Sequence, residues 1–303
     1  MKFGLLSAIF AEYSFEQVID YASQNGLECV ELACWPEGKS ERRYAGVTHI
    51  DADDLSEEKI SYIKEYCKNK NVEISSLGYY PNPLDPDIEK RNIYVNHIEK
   101  LIDASSALDI NMVTTFIGRD SSKTVEENLA MLPEVWKPIL NYAEKKNVKI
   151  AIENCPMLFT LDEWPGGKNL MTSPAIWEKV FDILDSENLG LNFDPSHFVW
   201  QQMDYIKPIY AFKNKMFHIH FKDIKLYPDK LDNVGVMAAP LEYMSPKIPG
   251  LGDIKWDKFV SALTDIGYNG HAVIEIEDKA FESSQEDILK AINQSIRYLK
   301  QFV

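Results

Sequence analysis

Residues 149–156 read KIAIENCP, and residues 189–197 read LGLNFDPSH. Each is a short run of apolar residues that stops at a carboxylate, Glu153 in the first and Asp194 in the second. Both runs are near-continuous rather than alternating, as expected for parallel strands covered on both faces. Between them, Pro174 to Leu184 repeats its apolar residues at helical spacing, after Ser173 as a capping residue and with Pro174 in the first turn. The pair therefore reads as strand, helix, strand.

The same unit recurs in both directions along the chain. Apolar runs occupy Phe3 to Phe10, Cys29 to Ala33, Val72 to Leu77, Met112 to Phe116, Val148 to Ile152, Leu189 to Phe193, Met216 to Phe221 and His271 to Ile276. Amphipathic stretches separate them, among them Phe15 to Ser23, Leu55 to Cys67, Ile88 to Leu108, Val125 to Tyr142, Trp256 to Ile266 and Gln285 to Phe302. Ser14 is a capping residue for the first of these, and Asp253 lies near the start of the last barrel helix. Strand and helix alternating eight times over 303 residues predict an α/β fold, a single (β/α)8 TIM barrel. An open doubly wound sheet is the competing architecture, and it usually carries a Gly-rich phosphate loop after the first strand. That position reads FAEYS, without glycine. With no linker and no break in composition, residues 1–303 read as one domain.

The formal net charge is −15, which disfavours a nucleic-acid partner but not a small sugar phosphate held by one local cation. No apolar run approaches the ~20 residues of a membrane span. The segment MKFGLLSAIFAEYS has a thin positive region and meets Glu12 early, so it reads as a buried first strand rather than a signal peptide. Cys29, Cys34, Cys67 and Cys155 form no C-x-x-C pair and read as reduced thiols of a cytoplasmic protein. Self-association is left open. Two connections are long, Cys34 to Asp54 and Lys222 to Lys255. Both follow a strand and so belong to the face of a barrel where active sites form.

Function in such a barrel collects at the strand ends. The fifth run delivers Glu153, the sixth delivers Asp194 and then His197, the seventh (MFHIHFKD) offers His218, His220, Lys222 and Asp223, and the eighth (HAVIEIED) offers Glu275 and Glu277. Each has a bland reading alone: a cap, a turn former, a packed histidine or a solvated charge. Together, four consecutive strands send ionisable groups to one place, where buried like charges repel unless a cation joins them. Glu153, Asp194, His220 and Glu275 are therefore the expected ligands of one divalent metal ion, Mn²⁺, Co²⁺, Zn²⁺ or Mg²⁺. His220 is preferred to His218 because it lies nearer the strand's C-terminal end.

At these residues the chain resembles the sugar phosphate isomerase/epimerase superfamily, the xylose isomerase-like barrel group that includes ketose 3-epimerases, inosose dehydratase and endonuclease IV. The resemblance rests on IENCP, NFDPSHFVWQQMD, HIHFKD, PGLGDIKWDKFVSALTDIGYNG and VIEIED, between residues 150 and 278. It implies the same four metal ligands, with His197 as a substrate contact and, more loosely, Lys222 as a substrate-binding cation. Many relatives have histidine where this chain has Cys155, so their substrate preference does not carry over.

The implied activity is a metal-dependent isomerase or epimerase of carbohydrate metabolism acting on a small sugar or sugar phosphate. Glu153 and Glu275 would exchange a proton next to a carbonyl, with the metal stabilising the enediolate. Trp35 and His49 are further expected substrate contacts, and Phe10, Tyr79, Phe116 and Trp200 candidate lining. Three other readings remain open. An inosose dehydratase-like lyase shares the proton abstraction. An endonuclease IV-like phosphodiesterase would need three metals and histidines that the third and fourth strand ends lack. A non-catalytic sugar-binding relative would need no pair of candidate bases.

Overall fold

The computed structural model describes residues 1–36, 45–158 and 167–303, so part of the first long connection lies outside the described residues. Eight parallel strands follow one another around a closed ring: β1 (Lys2–Leu6), β2 (Cys29–Ala33), β3 (Glu73–Gly78), β4 (Met112–Thr115), β5 (Lys149–Glu153), β6 (Leu189–Phe193), β7 (Met216–Phe221) and β10 (His271–Ile274). β10 pairs with β1, which closes the barrel. Two further strands, β8 (Asp223–Leu226) and β9 (Met244–Lys247), form a separate antiparallel ribbon.

The buried faces explain the near-continuous apolar runs. Every residue of β2 and β6 is buried, because side chains on one face fill the barrel and those on the other meet the helices. Helix starts follow local chemistry. Ser14 and Gln17 form a reciprocal capping box at Phe15–Gln24, and Thr124 and Glu127 do the same at Val125–Lys145. Ser173 precedes Pro174–Leu184 without a side-chain cap bond. The helix Trp256–Asp265 is preceded by Lys255 as its cap position, two residues beyond Asp253.

Between the barrel and its helices lie large side chains whose polar ends are satisfied. Trp136 Nε1 donates to the Ile117 carbonyl and Trp177 Nε1 to the Met171 carbonyl, both at 2.9 Å. The first strand ends sooner than its apolar run, since Ser7–Ile9 turns into a 3-10 helix. After β7 the chain pairs into the ribbon, and Asp223 fixes this exit. Asp223 accepts hydrogen bonds from the backbone of Ile224, Gly250 and Ile254 and from Trp256 Nε1. A Cβ at Gly252 would stand 2.1 Å from Asp223 Oδ1, so the second glycine of PGLGDIKW is required by close approach.

Candidate metal centre and active site

The ends of β5, β6, β7 and β10 bring Glu153, Asp194, His220, Lys222 and Glu275 into one cluster, with His197 beside it. The backbone beneath is braced across strands. Asn154 donates to the Asp194 carbonyl at 2.9 Å and accepts from the Asp194 amide at 2.7 Å, tying the end of β5 to that of β6. Asn169 donates to the carbonyls of Glu153 and Cys155 at 2.8 and 2.6 Å. Asp194 Oδ1 is taken by the Ser196 amide at 2.8 Å, leaving Oδ2 for the cluster.

Within the cluster, His220 Nδ1 lies 3.0 Å from Glu275 Oε2 and 3.9 Å from Glu153 Oε1. His197 Nε2 lies 3.1 Å from Asp194 Oδ2 and 3.5 Å from Glu153 Oε1. The Lys222 ammonium sits among four carboxylates, 3.0 Å from Asp194, 3.2 Å from both Glu275 and Glu277, and 4.0 Å from Glu153. Lys222 is only 4% exposed, which this much negative charge makes tolerable. Burial works against its charged form, but Asp194, Glu275, Glu277 and Glu153 outweigh it and raise its pKa. The carboxylates separate. Glu153 is pushed up by burial and by the charge of Glu275. Asp194 is pulled down despite burial, by Lys222 and His197, and Glu275 is pulled down despite burial, by Lys222 and His220.

The donor set fits a divalent ion. Asp194 Oδ2, His197 Nε2, His220 Nδ1 and Glu275 Oε2 are all buried with no aligned hydrogen bond, and all turn towards this cluster. Glu153, His220 and Glu275 present ligand atoms within 4.8 Å of one another, as do Glu153, Cys155 and His197. Carboxylate oxygen and imidazole nitrogen suit a hard-to-borderline cation.

The other expected contacts divide. Trp35 is partly buried, edge-on to Tyr79 at 4.8 Å, next to a small cluster of Tyr80, Phe116 and Met157. His49 is buried, with Nδ1 2.9 Å from Ser7 Oγ and Nε2 3.1 Å from the Phe10 carbonyl. Both of its ring nitrogens are engaged on the protein, where they join the loop to the exit of β1. His218 is fully buried and lies deeper, 3.0 Å from both Asn192 Oδ1 and Ser75 Oγ.

Sequence reasoning missed Glu31. It is completely buried on β2, yet its Oε2 lies 2.8 Å from His220 Nε2, and its Oε1 accepts from Tyr80 and from Thr114 Oγ1. The available signal was a single charge inside the apolar run CVELA.

A closed parallel barrel with carboxylates and an imidazole gathered at one mouth defines the class: a TIM barrel with a candidate metal site at its strand ends. The chain belongs to the xylose isomerase-like TIM barrel family, whose model matches residues 19–302. It is 30% identical over 271 residues to an inosose dehydratase of Bacillus thuringiensis (strain Al Hakam), covering 83% of this chain and 85% of that protein. Among solved structures, D-psicose 3-epimerase from Clostridium cellulolyticum H10, determined with D-tagatose, superposes with a TM-score of 0.71 at 16% identity, covering 100% of this chain and 99% of that one. The IOLI protein, determined with a bound zinc atom, gives 0.73 at 17% identity, covering 100% and 99%. At these identities the two structures speak for the fold. Among the described residues, no helix is long and apolar enough to cross a membrane.

Proposed function

We propose that residues 1–303 form one catalytic domain, a divalent-metal-dependent isomerase or epimerase of a small sugar or sugar phosphate. The observation that carries this reading is the convergence of Glu153 and Glu275 on His220 Nδ1, beside Asp194 Oδ2, which is buried without an aligned hydrogen bond. Glu153, Asp194, His220 and Glu275 would hold the ion. When bound, it would supply positive charge that stabilises negative charge developing on the substrate oxygens.

The remaining chemistry belongs to the side chains. Glu153 and Glu275 are the proton carriers at the carbon next to the carbonyl, one taking the proton and the other returning it. Return to the opposite face inverts that carbon. Their pKa values are pushed in opposite directions, an arrangement suited to one acid and one base. His197 orients a sugar hydroxyl. Lys222 holds a substrate oxygen and balances the four carboxylates around it. Trp35 closes one side of the mouth.

A dehydratase acting on a cyclic polyol is the second reading, favoured by the inosose dehydratase relative. It uses the same proton abstraction and adds a leaving hydroxyl, which His197 or Lys222 would protonate.

The test is a screen of the Mn²⁺-loaded protein against ketoses, aldoses, their phosphates and inososes. Solvent deuterium entering recovered substrate or epimer supports isomerase or epimerase chemistry. Loss of water from an inosose favours the second reading. No turnover and no deuterium exchange across the panel would reject both. Elemental analysis should find near one metal ion per chain; near three would favour phosphodiester chemistry.

A further inference from the structure

We propose that Glu31 is a positioning residue which holds the His220 ring so that Nε2–H points into the barrel wall and Nδ1 faces the metal centre. This rests on the reading of His220 as a metal ligand. The residues are 189 positions apart in sequence, yet Glu31 Oε2 and His220 Nε2 are 2.8 Å apart with both side chains fully buried.

An imidazole has two nitrogens, and which one is free to bind a metal depends on what the other is bonded to. Here the answer is built into the wall. Nε2 lies 2.8 Å from the Glu31 carboxylate and 2.9 Å from the Asn192 amide nitrogen; of these two the carboxylate accepts only, so its contact is the one that calls for a proton on Nε2. Nδ1 has no aligned hydrogen bond and lies beside Glu275 and Glu153. A carboxylate behind a ligating histidine fixes its tautomer and ring orientation and raises its basicity.

Glu31 is itself held by two groups from the β3 and β4 side of the barrel. Tyr80, just beyond β3, and Thr114, on β4, donate to its Oε1, the latter at 2.7 Å. The pairing of β2 with β3 slips by one residue between Val30 and Glu31, and that of β6 with β7 slips between Leu191 and Asn192. Such irregularities re-aim side chains near functional sites. These two adjoin the segments that carry Glu31 and His220.

Glu31, His218 and His220 also approach closely enough to hold an ion of their own. Their hydrogen bonding argues otherwise. Glu31 is bonded through both oxygens, and His218 is bonded through both nitrogens to Asn192 and Ser75. Only Nδ1 of His220 is left over, and it points to the mouth. The group is a support for one ligand, not a second site.

The experiment compares the wild type with Glu31→Gln and Glu31→Ala by Mn²⁺ titration followed by electron paramagnetic resonance, by thermal melting and by ¹⁵N-histidine NMR. The wild type should show a downfield, slowly exchanging His220 Nε2–H resonance. Glu31→Gln, which keeps the shape and an acceptor, should stay folded and retain that resonance, while its Mn²⁺ Kd weakens about 10-fold. Glu31→Ala should lose the resonance and weaken Kd by about 100-fold. Folded variants with a Kd within about twofold of wild type, or a wild-type His220 without a bonded Nε2–H, overturn the proposal. The NMR result decides the role of Glu31 without metal. Failure of the wild type to bind Mn²⁺, with the Nε2–H signal present, would instead reject the metal-ligand reading of His220.

Discussion

Two polar clusters lie against each other in this barrel and behave in opposite ways. The inner one, Glu31, Ser75, Asn192 and His218, is closed: each side chain hydrogen-bonds to another group of the protein. The outer one, Glu153, Asp194, His197, His220 and Glu275, is charged and buried but leaves atoms facing a shared centre. His220 belongs to both, one nitrogen in each. Buried polar groups that satisfy one another act as scaffold, whereas buried groups left without an aligned hydrogen bond call for a further explanation, such as an ion or a catalytic role. Burial alone does not separate the two clusters; the accounting of donors and acceptors does.

The largest test of this contrast is at the mouth. Glu153→Gln and Glu275→Gln should each lower turnover by about a thousandfold, within the span expected for loss of a general acid or base. Their melting temperatures should stay near wild type. Near-normal kcat in both variants would remove the distinction. Next, adding Mn²⁺ to chelator-treated protein should stabilise it by about 2.7 kcal/mol at one hundred times Kd. Calorimetry should show this gain in the wild type and not in Asp194→Asn. The inner cluster should respond the other way. Ser75→Ala takes a partner from the buried His218 Nε2, with an expected cost of about 1–3 kcal/mol in denaturant unfolding and turnover within about twofold of wild type. The smallest effect belongs to the opposite end of the barrel, where Lys2 and Glu73 pair in solvent. Glu73→Gln should change stability by less than about 1 kcal/mol, and less still in high salt.

The barrel was legible because its signal is local and repeated. KIAIE and LGLNF show their burial in their own composition, and eight such runs leave few architectures. The outer cluster was legible for a related reason: Glu153, Asp194, His220 and Glu275 each stand at or just past the end of an apolar run, and the fold supplies the rule that such ends meet. Glu31 obeys no such rule. It lies inside its run, and its partner comes from the far side of the chain. The bonding of His49 was not legible either, because a histidine in a long connection shows no partner in its own segment. Its bonds to Ser7 and Phe10 are tertiary. The ribbon β8–β9 also escaped, since SPK within β9 lacks the residues that favour strands.

Anchoring of the strand that carries His220 isolates it mechanically from the loop that follows. Asp223 clamps the backbone just after Lys222, and the two arms of the β8–β9 ribbon run side by side, so the excursion from Tyr227 to Tyr243 leaves and returns at nearly one point. A segment attached at one point in this way, with Val236 and Leu241 exposed to solvent, transmits little of its own length or sequence to the strand end beneath it.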